Sequence, residues 1–435
     1  MNDAISIIIL AAGKGSRMKS SKAKVLHGIS GRPMLYHIVK TSLELTDDVT
    51  VVVAHQKEAV TEAVKAHFDN VTFITQDADA YPGTGGALMN VSPRYEKVLV
   101  LNGDMPLVTA EALEGFRDNS ADITMSIFDL EDPSGYGRVV ISDVGVERIV
   151  EEKDATEAEK KIRHVNAGVY AFGRSVLETY LPKLSNDNAQ GEYYLTDIIA
   201  MAKADGLGVG ALLVDEEHFK GVNSKADLAA AEAIMQRRIR ENWMGEGVSM
   251  QLPETIYIEE AVTFEGECIV ENGVRITGES RLINAHIKAH SVIEDSTVID
   301  SDVGPMAHLR PASHIEGTHI GNFVEVKKAT LKGVKAGHLS YIGDAEVDEG
   351  TNIGAGVITC NYDGKKKYKT VIGKNVFVGS DTQIVAPCTI EDDVIIGAGT
   401  TLTSRHVERG VLVTSRAKLR KIEGFFYSFF GKEKS

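Results

Sequence analysis

An α/β unit, then a long helix, then a parallel β-helix: two patterns in the sequence predict this architecture. In the first half, short apolar runs alternate with helical stretches. Alternation of that kind lays strands and helices in turn around a mostly parallel sheet. In the second half, Ile372, Val378, Ile384, Ile390, Ile396 and Leu402 recur every six residues without a slip. Neither a helix nor an alternating strand has that period. A hexapeptide repeat does, each repeat contributing one short flat strand and a turn.

In the first half, Ile5–Leu10, Val49–Ala54, Val71–Thr75 and Val98–Leu101 read as strands, and Pro33–Leu45, Glu58–Ala66 and Ala110–Asn119 as the helices between them. Ligands of such sheets bind beyond the carboxyl ends of the strands. The Gly13 loop and Asn102-Gly103-Asp104 each follow a strand directly, so they should share one crevice. Lys225–Asn242 is rich in Ala, Leu, Met, Arg and Glu without Gly or Pro, and reads as one continuous helix closed by Met244-Gly-Glu-Gly247. The expected organisation is a first domain over 1–224, a helical linker over 225–250, a β-helix over 251–420 and a tail over 421–435.

Within the repeat, the positions four after the apolar ones are Val376, Thr382, Cys388, Val394 and Thr400, all small or β-branched. Three repeats close one triangular coil with the apolar residue inward. Val262-Cys268-Val274 and Ile287-Ile293-Ile299 keep the period, with breaks between the runs. Thr359–Thr370 is polar and basic and breaks the register, so it reads as a loop pushed out of a coil, with Asn361 and Tyr362 at its root. Solenoids cannot bury their own ends, so self-association is expected. The tail Phe425-Phe-Tyr-Ser-Phe-Phe430 is expected to cap the rod or pack on a neighbour. Membrane contact is not expected, because one short segment with few cations anchors poorly.

At 435 residues the chain is too long for one ordinary core. A formal net charge of −15 argues against a general binder of nucleic acid or anionic membranes, while a local cation cluster can still hold a nucleotide. No basic leader and no apolar run long enough to span a bilayer is visible. Cys268, Cys360 and Cys388 are odd in number and far apart, with no disulfide framework and no metal-ligand spacing. A reducing cytoplasm is the expected compartment.

The most informative segment is Leu10-Ala-Ala-Gly-Lys-Gly-Ser-Arg-Met18, followed by Lys22, Lys24 and His27. Gly13 and Gly15 let backbone N–H groups turn toward a ligand, and Lys14, Arg17 and Lys24 neutralise it. That is the chemistry of a polyphosphate grip. A dinucleotide-binding turn would need glycine at Met18, and P-loop spacing is absent. For the glycine pair alone, an ordinary strand-to-helix turn remains the competing reading.

The Leu10–Met18 segment with Lys24-Val-Leu-His27 resembles the signature of sugar-1-phosphate nucleotidylyltransferases. Asn188–Asp197 and Gly221-Val-Asn-Ser224 narrow the resemblance, and Asn322–Lys328, Lys335–Asp344 and Asn352–Gly364 narrow it further. The chain resembles the bacterial bifunctional N-acetylglucosamine-1-phosphate uridylyltransferases/glucosamine-1-phosphate N-acetyltransferases over nearly its whole length, densely in 1–225 and 303–416 and thinly in 226–300. The resemblance implies a Rossmann-like nucleotidyltransferase domain, a linker helix and a left-handed parallel β-helix. It implies two consecutive reactions, acetylation of glucosamine-1-phosphate by acetyl-CoA and then coupling of the product to UTP. It further implies Mg²⁺, a cytoplasmic homotrimer, and a nucleotide sugar destined for cell-wall and lipopolysaccharide synthesis.

Residue by residue, the resemblance puts Leu10, Ala11 and Gly13 along the nucleotide and Arg17 and Lys24 on its phosphates. It gives Asp104 and Asn223 to Mg²⁺, Gln76, Gly83 and Thr84 to uracil, and Gly137, Glu151 and Asn166 to the sugar. Asp104 as a turn cap before Pro106, and Asn223 as part of the cap of the long helix, are the competing structural roles. Lys22 and Glu152 read as surface residues. For acetyl transfer, an amine attacks only when unprotonated, so a nearby base is useful, and His338 matches that position. Arg310, Lys327, Tyr341, Asn352, Asn361 and Tyr362 match the sugar-phosphate positions, and Ala355, Ser380, Ala398 and Arg416 those for acetyl-CoA. Asn102, where the family often has an aromatic, a segment two residues longer before Gly83, and Gly86 in place of a common His are local departures.

Overall fold

A computed structural model describes residues 4–13, 15–142, 145–415 and 420–433, so Lys14 and Arg416 lie outside the described residues. The chain forms two compact units, Met1–Arg237 and Arg238–Ser435.

The first unit is built on one sheet whose main path runs Val209–Leu213, Ile123–Asp129, His164–Gly173, Lys97–Asn102, Ile5–Leu10, Val49–Val53, Thr72–Thr75. Lys97–Asn102, Ile5–Leu10, Val49–Val53 and Thr72–Thr75 are mutually parallel, whereas His164–Gly173 runs antiparallel to both neighbours. Helices Met34–Leu45, Lys57–Lys65 and Ala110–Asp118 fall where the pattern places them, within a residue at each end. Ile7, Ile8 and Ile9 are at most 1% exposed because layers cover both sheet faces, which is why this strand is an unbroken apolar run. The chain leaves four parallel strands at one edge. There Ala11 N–H donates to Val52 O, Gly103 N–H to Leu10 O and Gln76 N–H to Val53 O, at 2.8–2.9 Å. The Gly13 and Asp104 loops thus start side by side.

The long helix runs Lys225–Gly245, three residues past its expected end. Ser224 Oγ accepts from Asp227 N–H at 3.1 Å while Asp227 Oδ2 accepts from Ser224 N–H at 2.8 Å, a reciprocal cap. In the first unit, Glu232 Oε2 accepts from Ser30 N–H at 2.9 Å and Gln236 donates to Ser30 Oγ at 2.9 Å. In the second, Ile239 and Trp243 pack on the rod core.

The second unit is a left-handed parallel β-helix with three faces of ten, nine and nine strands among the described residues. Ile276 pairs with Ile293, Ile293 with Leu309, Leu309 with Val326 and Val326 with Ile342, so one coil takes 16 or 17 residues here. Val378 pairs with Ile396, a coil of 18. The shorter coils contain five-residue repeats. These turn on a left-handed residue two places after the buried one, as at Asn284, Asp295, Asp300 and Asp344, residue types that tolerate positive φ. That is why the six-residue register slips before residue 350. It also corrects one expectation: Val298, fully buried, fills the core after Ile293, and Ile299 sits half-buried one position beyond it.

The segment after Cys360 does leave its coil. It folds back so that Tyr362 bridges to Lys367 and Tyr368 N–H donates to Asn361 O at 2.8 Å. The tail does not cap the rod within one chain. Phe425 stacks on Phe429 and Phe426 meets Phe430, and all four stay 54–68% exposed. Among the described residues no helix is long and apolar enough to cross a membrane.

Each buried rod residue packs within its own coil and against the coils above and below, so a deletion has little scope to repack. Leu309→Ala, at a fully buried position, is expected to cost about 2–5 kcal/mol, read as a lower urea midpoint for loss of β-structure by circular dichroism.

Candidate active sites

In the first unit, Gly15 is left-handed at φ 62°, and a Cβ there would come within 2.5 Å of Lys24 Cβ. Glycine therefore lets the short turn Ser16–Met18 lie against Lys24, which brings Arg17 and Lys24 to one place. Arg17 Nη2 donates to Asn223 Oδ1 at 2.8 Å, and Lys24 Nζ donates to the same oxygen at 3.1 Å. Lys24 also forms an ion pair with Asp104 Oδ2, both side chains being about 15% exposed. Asp104 O accepts from Val222 N–H at 2.8 Å, which ties the strand end to the segment before the long helix. Ser224 and Asp227 make the cap of that helix. The Asn223 amide oxygen is thereby left facing the cations rather than serving as a cap acceptor.

This cluster opens into a cavity of about 360 Å³ lined by Arg17, Asn102, Asp104, Tyr136, Asn166 and Asn223 among others. Asn166 is oriented by two bonds: its Nδ2 donates to Tyr170 Oη at 2.5 Å and its Oδ1 accepts from Gly168 N–H at 2.9 Å. Its backbone N–H donates to Gly137 O at 2.8 Å. Glu151 reaches to 3.4 Å from where a Gly137 Cβ would stand. Burial, and then the nearby Asp154 and Asp197, hold its carboxyl above the usual range. Asn102, Tyr136 and Gly168 were not singled out from sequence as ligand contacts. Asn102 donates to Gly168 O at 3.1 Å, and a Gly168 Cβ would press to 2.7 Å from its amide nitrogen. Glu152 keeps a half-exposed side chain and pairs with buried Arg138 at 2.7 Å.

Leu10 and Ala11 support the site from beneath: a Cβ on Gly103 would lie 3.1 Å from Leu10 O and 3.3 Å from Ala11 Cβ. Gly13 is exposed, with open space where a Cβ would stand. Gln76, Gly83 and Thr84 form a separate group outside this cavity. Gln76 Nε2 donates to the carbonyls of Tyr81 and Gly83 at 2.9 and 3.0 Å, and Thr84 Oγ1 accepts from Leu195 N–H at 3.1 Å. Gly83 is left-handed at φ 96°, and a Cβ would come within 2.7 Å of Tyr193 O. The departure at Gly86 has a physical reason too. The Tyr81 carbonyl occupies the space a side chain there would need.

On the rod, Lys335, Asn352, Phe377 and Ile395 stack on four successive coils. Three residues beyond each come His338, Ala355, Ser380 and Ala398, which therefore form one column at one corner. Asp381 N–H donates to Ala355 O and Gly399 N–H to Ser380 O, both at 2.8 Å. His338, Ser380 and Ala398 are exposed. Arg310 and Lys327 stack on another face. Arg310 donates to Glu325 Oε1 at 2.8 Å. The neighbouring Lys367 cation, and then Arg310, hold the Lys327 ammonium below the usual lysine range. Lys367, from the folded-back loop, is thus a third cation of this group that spacing alone did not reveal. Tyr341 lies across Gly343, which has no Cβ to hold it off, and Asn361 Nδ2 donates to Tyr341 Oη at 3.4 Å and to Asp344. Tyr362 is 60% exposed. The fold brings the His338 column together and the Arg310 group together, each within one chain, at different parts of the coil.

Residues 7–169 match the model of the MobA-like NTP transferase domain, and residues 369–404 that of the bacterial transferase hexapeptide with six repeats. A protein of Sulfurimonas denitrificans called bifunctional protein GlmU is 66% identical over 99% of this chain and 99% of its own length. Proteins of that name from Wolinella succinogenes and Sulfurovum sp. are 63% and 61% identical, over 99% and 98% of this chain and 100% and 99% of their own lengths. The chain belongs to the family of bifunctional GlmU proteins, uridylyltransferase and N-acetyltransferase in one polypeptide.

Proposed function

We propose that the first unit joins UTP to N-acetylglucosamine-1-phosphate, releasing pyrophosphate, at the Arg17–Lys24–Asp104–Asn223 cluster, and that the rod makes that sugar phosphate from glucosamine-1-phosphate and acetyl-CoA. The observation that carries the reading is the convergence of two cations, a carboxylate and an amide oxygen at the mouth of a polar cavity. A sugar-phosphate oxygen must attack the α-phosphorus of UTP, so two anions have to be brought together. Positioning and charge neutralisation carry most of that work. Arg17 and Lys24 serve the triphosphate and the departing pyrophosphate. Gly137, Glu151 and Asn166 orient the sugar.

Asp104 and Asn223 would hold Mg²⁺. Their oxygens already share the Lys24 ammonium, with Arg17 also on the Asn223 oxygen, and a hard cation takes one or two carboxylate or amide oxygens and completes its shell with water and phosphate. When bound, the ion screens the phosphate charges.

On the rod, His338 takes the proton of the attacking amine, and Arg310, Lys327 and Lys367 bind the sugar phosphate. Tyr341, Asn352, Asn361 and Tyr362 complete that site. Ala355, Ser380 and Ala398 offer a column of small side chains to the pantetheine arm, and Arg416, outside the described residues, serves acetyl-CoA by the same resemblance. The reading includes a homotrimer in the cytoplasm, in which a neighbouring rod brings a second chain's groups to the His338 corner.

The test is to incubate the protein with glucosamine-1-phosphate, acetyl-CoA, UTP and Mg²⁺, omit one component at a time, and follow masses. The expected result is UDP-N-acetylglucosamine only in the complete mixture, N-acetylglucosamine-1-phosphate without UTP, and no product without acetyl-CoA. Uridylyl transfer to supplied N-acetylglucosamine-1-phosphate with no acetylation would assign the rod to assembly alone.

A further inference from the structure

We propose that the ion pair between buried Arg138 and half-exposed Glu152 is a positioning device for the segment Ser134–Gly137, and that it sets affinity for the sugar phosphate rather than for UTP. The inference rests on the uridylyl-transfer reading of the first unit. Ser134, Gly135 and Tyr136 form one wall of the cavity, and Asn166, Ala167 and Gly168 form another. The first wall is a loop between Asp129 and the strand Arg138–Ser142, with no ladder of its own.

What holds that loop is a guanidinium. The Arg138 side chain is 2% exposed. Its Nη1 donates to Tyr136 O, its Nε to Lys160 O at 3.3 Å, and its Nη2 pairs with Glu152 Oε2 at 2.7 Å. The same Glu152 oxygen accepts from Gly135 N–H at 3.3 Å. One ion pair therefore fixes the N–H of residue 135 and the carbonyl of residue 136. The strand Gly145–Val150 delivers Glu151 and Glu152 in succession. Glu151 reaches toward Gly137, and Glu152 reaches to Gly135 and Arg138. The sugar-binding carboxylate and the loop anchor are thus adjacent residues of one strand end, and they cannot shift independently.

Such a pair is a poor way to gain stability, because the attraction at half-exposed Glu152 is screened and the buried guanidinium has lost its hydration. An apolar side chain at 138 would fill the same space. A guanidinium's fork presents rigidly spaced donors to two carbonyls and a carboxylate at once, where a lysine ammonium is a single point. The Arg138 hydrogen bond, the largest influence on Glu152, holds its carboxyl below the usual range. Glu152 thus stays charged through the neutral range.

The test uses the full chain and compares Arg138→Lys, Glu152→Ala and Glu152→Gln with wild type. The readouts are KM for N-acetylglucosamine-1-phosphate, KM for UTP, kcat, the melting temperature, and acetyl transfer by the second unit as an internal reference. Arg138→Lys and Glu152→Ala are expected to raise the sugar-phosphate KM about ten-fold or more, since a misplaced wall costs orientation. UTP KM should stay within about two-fold. Glu152→Gln keeps an acceptor for Gly135 N–H and should recover most of the loss. Unchanged sugar-phosphate KM, or equal rises in both KM values, would overturn the proposal. Should Arg138→Lys fail to fold, the half-exposed Glu152 variants decide it. Wild-type protein that turns over no UTP would instead defeat the uridylyl-transfer reading itself.

Discussion

Asp104→Ala is expected to lower uridylyl transfer by about 10³-fold and leave acetyl transfer within about two-fold of wild type. Among the described residues, Asp104 is the carboxylate paired with Lys24, and Lys24 and Arg17 both lean on Asn223. Removing it leaves two cations sharing one neutral amide oxygen. A divalent ion would lose its only charged ligand at the same stroke. The loss should fall on kcat more than on either KM, because the charge matters most as pyrophosphate departs. Coupled assays of both reactions on one preparation check this. Mg²⁺-dependent uridylyl transfer at near wild-type rate would remove Asp104 from the metal site.

The mirror experiment is His338→Ala, which should lower acetyl transfer by about 10²–10⁴-fold, the usual worth of a positioned base, with uridylyl transfer preserved. The residual rate should rise with pH as more of the amine becomes neutral without help. Because His338 and Arg310 lie on different parts of the coil within one chain, a site shared between chains makes a sharper prediction. Co-assembling His338→Ala with Arg310→Ala chains should restore acetylation that neither variant shows alone. No restoration, in a sample whose light-scattering mass corresponds to mixed trimers, would sink the shared site.

The Gly13 loop, Asp104 and Asn223 were legible because glycine, cation and strand-end signals are local. Their meeting was legible only as an expectation about strand ends. Which role Asn223 plays needed coordinates, since Ser224 and Asp227 take over the cap that sequence could equally have given it. The strict register after Ile372 was plain, yet Ile299 was misassigned, because a five-residue repeat keeps the corner and shifts the phase. Arg138 gave no signal, since its environment comes from residues 136, 152 and 160. Lys367 was only part of a polar, basic loop until the bridge to Tyr362 turned it back toward Lys327. Local chemistry reads out of a sequence; the company a side chain keeps across folded loops does not.

The pairing pattern of the rod bears on how the chain is made. Ile276, Ile293, Leu309, Val326 and Ile342 each need only the residue one coil behind them. In the first unit, by contrast, Ile123 waits for Val209, and Ile5 for Lys97. The distant partners come first in the chain and are complete before any rod residue is synthesised. At about 5–20 residues per second on the ribosome, a new coil emerges roughly every one to three seconds, far slower than local strand pairing. The rod can therefore be wound onto itself as it leaves the exit tunnel, each coil templating the next, without an unpaired stretch longer than one coil meeting the cell.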